Sequence, residues 1–276
     1  MDNLCLSELR IYPVKSLAGI LVDQWPVDPR GLRYDRQWMV VDSAGRFLTQ
    51  RTLPKMALIG TRILETDLEL ISAKGEHIRV PLDQNDGDEL TVTVWGDRVR
   101  ARAVNVFADQ WLSDSLGRTC RLVYQPPASR RPVDPAYATP QDEVRFSDGF
   151  PFLLISEGSL AELNRQMGLQ LEMSRFRPNL VVSGCDGYAE DTWRRISIGN
   201  IDFRLPKPCS RCTITTLDPQ TGKKGKEPLE TLKRTRRWKN QLYFGQNALH
   251  DNTGTLRIGD AVAVSLNGPA QPPLSQ

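Results

Sequence analysis

Histidine is nearly absent: the 276 residues contain two, His77 and His250, far apart in the chain. That excludes a metal site built from several histidines and leaves a Ser-His-Asp hydrolase just two candidate bases. Cysteine is sparse as well. Cys5, Cys120, Cys185, Cys209 and Cys212 are too few for a disulfide scaffold, and five is odd, so at least one thiol has no intrachain partner. A reducing compartment is expected, with a cytoplasmic location. Long apolar runs are missing. The most apolar stretch, Phe150 to Ile155, falls far short of the about 20 residues that a membrane span needs. The opening residues carry acidic groups and no apolar segment of a secretion signal, so no membrane association is expected. Nor is one sign of charge in excess. Lys+Arg 36 against Asp+Glu 33 leaves a formal +3, which argues against nucleic acid as a partner.

What is present reads as a mainly β, α+β chain. At about 150 residues per domain the length suggests two domains. The first hundred residues offer many short strand candidates: Leu4 to Tyr12, Gln37 to Val41, Arg46 to Arg51 as the hairpin partner of the latter, Met56 to Leu64, Asp67 to Ala73 and His77 to Val80. Leu90 to Trp95 and Arg98 to Ala103 complete the series around the Gly96-Asp97 turn. Short strands with frequent turns suggest a barrel or sandwich. The texture then changes. Asn105 to Leu116 predicts a helix, with Asn105 as N-cap and Gly117 as its stop, and Ser156 to Met167 predicts a second, ended by Gly168. Gln125 to Gln141 holds five prolines and reads as a loop. Strands follow at Asn179 to Ser183, Arg195 to Ile198 and Asp202 to Leu205, and a short helix at Pro228 to Lys233. Thr255 to Ile258 and Ala261 to Leu266 close the fold. The expected division is residues 1–104, residues 105–268 and a disordered tail, 269–276.

The densest polar segment is Pro208-Cys-Ser-Arg-Cys-Thr-Ile-Thr-Thr-Leu-Asp-Pro219. Its CxxC admits several readings. A structural zinc site would need two further ligands, and no second CxxC is present. A thioredoxin-type pair wants a helix after the motif, whereas Thr213 to Leu217 is β-branched. Two buried apolar thiols is the plainest reading. The remaining one is a single working thiolate, with Lys207 and Arg211 beside it, suited to a soft metal or to attack on a substrate. Arg177, before Pro178, offers a planar donor fork for phosphate or carboxylate. Lys15-Ser16 after the first strand is an anion contact, and Arg36 and Arg51 lie at the outer ends of one hairpin. Together with a thiolate, these cations suggest a metal-bearing anionic cofactor.

The segments Phe176 to Trp193, Pro208 to Gly222, Lys226 to Lys233 and Tyr243 to Gln246 resemble the MOSC (molybdenum-cofactor sulfurase C-terminal) domain proteins. The mitochondrial amidoxime-reducing components and their bacterial YcbX-like relatives are the most similar. Ile11 to Ser16 and Tyr34 to Val41 resemble the β-barrel domain that precedes MOSC in that family. The resemblance implies an N-terminal β-barrel-like domain and a MOSC β-barrel domain with a few helices, with a molybdenum cofactor (Mo-molybdopterin) between them. It implies Cys212 as the metal ligand, and Lys15, Ser16, Arg36, Arg51, Arg177 and Asn179 as holders of the pterin and its phosphate. Ser210 and Arg211 match loop contacts; Ser147 and Asp186 match positions lining the site, Asp186 as a catalytic candidate. The implied reaction is reduction of small N-hydroxylated substrates, amidoximes and N-hydroxylated bases, by a monomer. The chain shows no cysteine set for an iron–sulfur cluster, so electrons are expected from a separate donor protein of ferredoxin, flavodoxin or cytochrome b5 type. The basic stretch 223–239 is a candidate docking surface for it. A cofactor carrier and a protein passing sulfur through a Cys212 persulfide are the alternatives.

Overall fold

The computed structural model describes residues 4–83 and 86–273. Its largest sheet has nine strands. Along one path these are Val262–Asn267, Trp193–Ile198, Ile201–Ser210, Gln241–His250, Phe152–Ser156, Leu180–Ser183, Cys5–Ile11 and Ile20–Val22, with Arg237–Trp238 paired at the side of Gln241–His250. All neighbours run antiparallel except Phe152–Ser156 and Leu180–Ser183, which are parallel because helix α2, Glu157–Met167, carries the chain back between them. The central strands are buried on both faces. Phe152 and Leu154 face one apolar cluster, and Leu153 and Ile155 face another, as the two-residue period of a strand dictates.

A four-stranded sheet, in the order Trp38–Val41, Arg121–Tyr124, Asp97–Ala103, Glu89–Val94, forms the centre of the other half. Trp38 and Val40 point to the cluster that also takes Ala108, Leu112 and Leu116 of helix α1, Val106–Leu116; Met39 and Val41 point to the cluster of Val92, Val94 and Val99. Both helix starts follow the expected chemistry. The Asn105 side chain accepts from the Ala108 N–H at 2.8 Å and that of Ser156 from the Ser159 N–H at 3.0 Å. Gly117 and Gly168, both at φ 67°, end the two helices.

The halves share strands. The first strand, Cys5–Ile11, lies in the large sheet between Leu180–Ser183 and Ile20–Val22, and Gln24–Asp28 pairs with Gly254–Arg257. Conversely α1 and Arg121–Tyr124, beyond residue 104, pack with the earlier strands.

Several local expectations are corrected. Arg46 to Arg51 forms no ladder with Trp38–Val41, which pairs instead with Arg121–Tyr124. The Asp42 carboxylate accepts from the Ala44 and Arg46 N–H groups and stops the hairpin after one bridge, Val41 to Phe47. Residues 54–58 form a 3₁₀ turn rather than a strand, because Pro54 presets its first dihedral. Thr213–Thr216 is also a 3₁₀ turn despite its β-branched residues, since the Thr215 and Thr216 hydroxyls bond back three residues. The strands Phe152–Ser156 and Gln241–His250 were not apparent from the sequence. In the expected tail, the Gln271 N–H donates to the Asp191 carbonyl at 2.9 Å and Pro272 is buried, so residues 269–273 are ordered against the body. Residues 274–276 lie outside the described residues.

Candidate functional site

A cleft of about 140 Å³, partly open to solvent, lies where the two halves meet. The earlier half contributes Lys15, Ser16, Arg36, Thr49, Arg51 and Trp95. The later half contributes Ser147 to Phe150, Phe176, Arg177, Asn179 and the run Cys209 to Cys212. The structure therefore gathers Lys15, Ser16, Arg36, Arg51, Ser147, Arg177, Asn179, Ser210, Arg211 and Cys212 around one space, although they span nearly two hundred positions. Asp186 is elsewhere. It sits in an exposed turn before the Ala189–Thr192 3₁₀ turn, where its carbonyl accepts from the Ala189 N–H, so it is no catalytic group of this cleft. Neither histidine lines the cleft.

Among the described residues, five basic side chains face the cleft, Lys15, Arg36, Arg51, Arg177 and Arg211, against one carboxylate, Asp148. Two are paired with acids. Buried Lys15 donates to Asp148 and, at 2.8 Å, to the Phe146 carbonyl. Arg36 pairs with buried Asp35 and donates to Asn179 Oδ1 at 2.9 Å. The other three donate to uncharged acceptors. Arg51 reaches Cys212 Sγ at 3.3 Å, Arg177 reaches the Leu17 carbonyl at 2.7 Å, and Arg211 reaches Cys209 Sγ at 3.1 Å and the Phe176 carbonyl at 2.5 Å. Tyr12 stabilises two of the cations by its ring face: the guanidinium carbons of Arg36 and Arg177 stand 4.7 and 4.1 Å from its centroid.

The electrostatics follow from this crowding. Burial pulls the Arg177 guanidinium down to about 10, with Arg36 pushing in the same direction. Burial also pulls the Lys15 ammonium down, opposed by Asp148. Desolvation would raise the Asp148 carboxyl, although its side chain is 65% exposed, and Lys15 and Arg51 outweigh it and hold the group well below the usual carboxylate range. Two polar atoms in the cleft wall, Ser147 Oγ and Arg211 Nε, are buried without a partner. Such atoms are costly unless a ligand completes them.

Asn179, itself buried, binds the halves together. Its amide donates to the Arg10 carbonyl and to Asp35 Oδ1, both at 3.1 Å. Cys212 precedes the Thr213–Thr216 turn and accepts with its carbonyl from the Thr215 N–H and hydroxyl, which fixes the thiol's backbone. Among the described residues no group of three or more His, Cys, Asp or Glu could hold a metal ion. A metal on Cys212 would bring its other ligands with it.

Asp148, Trp95, Phe47, Phe150 and Asn247 also line the cleft and were missed by sequence reasoning. A signal existed for Asp148, which follows Ser147 in the segment Phe146-Ser-Asp-Gly. Trp95 carried none, because it reads as the end of a strand.

The MOSC N-terminal beta barrel domain matches residues 3–119 and the MOSC domain matches residues 141–263. Mitochondrial amidoxime-reducing component 1 of Mus musculus is 37% identical over 93% of this chain and 81% of its own length. Its Homo sapiens counterpart is 36% identical, over 93% and 82%. Molybdenum cofactor sulfurase of Arabidopsis thaliana is 35% identical over 87% of this chain, which spans 32% of that protein. The chain belongs to the MOSC-domain family, as a relative of the mitochondrial amidoxime-reducing components.

Proposed function

We propose that this protein is a molybdenum-cofactor-dependent reductase of N-hydroxylated compounds such as amidoximes. One observation carries the reading: a thiol, Cys212, lies in a cleft whose five cations face a single carboxylate. A charge imbalance of that kind favours a multiply anionic ligand, and a soft thiolate suits a soft metal. A phosphorylated pterin that carries its own metal meets both demands. Ser147 Oγ and Arg211 Nε offer it a hydroxyl and an N–H that the protein leaves unpaired. The relatives named for amidoxime reduction and for molybdenum cofactor sulfuration support the same assignment.

When bound, the cofactor supplies two-electron redox chemistry. The chain's own residues do the rest. Cys212 provides the one protein ligand, and the Arg51 N–H on its sulfur fixes and tunes it. Arg177, Arg211 and Lys15 offset the anionic charge, Ser16 and Ser210 orient the ligand, and Asn179 holds Arg36 in place for it. Asp148 supplies the one carboxylate lining the cleft and, paired with Lys15, opposes the lowering of its ammonium by burial. Electrons come from a separate donor protein of ferredoxin, flavodoxin or cytochrome b5 type. The basic stretch 223–239 supports a docking site at the cleft edge, because Lys224 Nζ donates to the Arg51 carbonyl at 2.8 Å. Arg236 of that stretch is not available, being buried against Asp191.

The test is molybdenum content and amidoxime reduction with a chemical reductant, in protein from a host that makes the cofactor, with Cys212→Ala beside the unaltered chain. Stoichiometric molybdenum and turnover, both lost in the variant, are expected. Full metal loading of Cys212→Ala would sink the ligand assignment. Molybdenum without turnover would leave a carrier. Because Cys209 and Cys212 share the cleft and a sulfurase is among the relatives, labelled sulfur on Cys212 without molybdenum would establish sulfur transfer instead.

A further inference from the structure

The strands Glu89–Val94 and Asp97–Ala103 are joined by a two-residue loop, Trp95-Gly96, with Val94 opposite Asp97. A tight hairpin loop whose first residue is left-handed ordinarily has asparagine, aspartate or glycine there. Here glycine stands second, and Trp95 takes the left-handed backbone itself, at φ 56°. A bulky residue held in that conformation is a strained choice, and strain of this kind persists where a side chain must be aimed. Burial does not explain it, since Trp95 is 44% exposed.

The ring is fixed instead by three contacts inside the cleft. The Arg51 guanidinium carbon lies 4.4 Å from its centroid, Phe47 meets it near edge-on at 5.0 Å, and its Nε1–H donates to Asp148 at 3.2 Å. Arg51 in turn reaches Cys212 Sγ at 3.3 Å. A half-exposed indole is thus held rigidly, one residue removed from the sulfur that the reaction centre would occupy. A Cβ at Gly96 would meet nothing within 4 Å, so crowding at that position does not force the arrangement.

We propose that Trp95 is a specificity-determining wall: it favours substrates whose N-hydroxylated group is conjugated to a flat ring over aliphatic ones with the same group. This rests on the reductase reading above. A pre-oriented indole offers a planar substrate a stacking surface at no further ordering cost, and an aliphatic substrate gains little from it. Trp95 acts here through substrate contact; the strain and the three-sided clamp are what hold the surface still.

The test uses the full molybdenum-loaded chain, with Trp95→Leu and Trp95→Phe, and two probes, benzamidoxime and acetamidoxime. Dissociation constants are measured first without an electron donor, then kcat and KM with one. The unaltered chain should bind benzamidoxime more tightly. Trp95→Leu should shrink that preference by roughly threefold to tenfold, the range expected for loss of one aromatic pair. Trp95→Phe should keep most of it. In turnover the loss should fall on KM for benzamidoxime, with molybdenum content unchanged in both variants. An unchanged preference in Trp95→Leu overturns the proposal, as does a variant that loses molybdenum, which would make the residue structural. Discrimination in binding without turnover by any form would refute the reductase reading and leave the wall standing; turnover with no change in preference would do the reverse.

Discussion

Eight non-glycine residues adopt positive φ among the described residues, and four of them, Ser16, Arg36, Trp95 and Arg177, line the one cleft. Left-handed backbone costs an ordinary residue about 1–2 kcal/mol, so the concentration marks where the chain trades stability for aim. Lys15 and Asp148 show the same trade in charge. Lys15 is buried and its ammonium is pulled down by burial, with Asp148 as its counterweight. Replacing Asp148 by Asn removes the group that raises Lys15 and lets burial pull it further down. A cation whose pKa falls loses its charge at lower pH, so its hold on an anionic cofactor fails earlier as pH rises. The Asp148→Asn protein should therefore release cofactor at a lower alkaline pH than the unaltered chain, read as bound molybdenum after dialysis across a pH series. Coincident release profiles would show that Asp148 does not hold Lys15 charged. Of these residues, the cations stood out as polar groups at turns and before a proline, while the roles of the cations and of Cys212 came only from the family resemblance. Trp95 was not, because its role comes from a backbone angle and from Arg51 and Asp148, distant in sequence. Asp186 misled because a carboxylate beside glycine resembles a site residue and a turn equally well.

At the scale of elements, the helices were legible and the buried strands were not. α1 and α2 begin at side chains that cap them and end at glycines that accept φ 67°, all local chemistry. Gln241–His250 carries Gly245, Gln246 and Asn247 in its middle, and its strand character comes from neighbours on both sides. Gly245, at φ 79°, must be glycine, since a Cβ there would lie 2.6 Å from Ile155 and 2.8 Å from the Leu154 carbonyl. Phe152–Ser156 is apolar without alternation because both its faces are covered, a pattern that sequence alone does not separate from a buried helix. The caps permit a quantitative expectation. Asn105→Ala should cost about 1 kcal/mol, a fall in Tm of roughly 2–4 °C for a chain of this size. Since α1 supplies no residue to the cleft, molybdenum content should stay the same. A thermal melt with metal analysis on the same sample checks both, and an unchanged Tm would show that the cap contributes nothing.

At the scale of the whole molecule, length indicated two domains and the resemblance indicated which, but neither revealed that the halves exchange strands. The first strand leaves the early half to sit inside the later sheet, then returns through Tyr12 and Pro13 to place Lys15 and Ser16 in the cleft. Asn179 closes the same seam from the other side through Arg10, Arg36 and Asp35. Pairing between segments so distant in sequence leaves no local trace, which is why it was not legible. Its consequence is cooperativity. Leu9 is fully buried in the large sheet's core, opposite Leu180 and Val22 on the two flanking strands. Leu9→Ala should cost about 2–5 kcal/mol through lost transfer energy and the cavity left behind. If the halves unfold as one unit, that loss should appear equally in the hydrogen-exchange protection of the Gln241–His250 amides and of the distant Glu89–Ala103 hairpin, which Leu9 does not touch. Two units unfolding independently would show the loss in the large sheet alone, and the cleft would then be an interface free to open rather than a fixed seam.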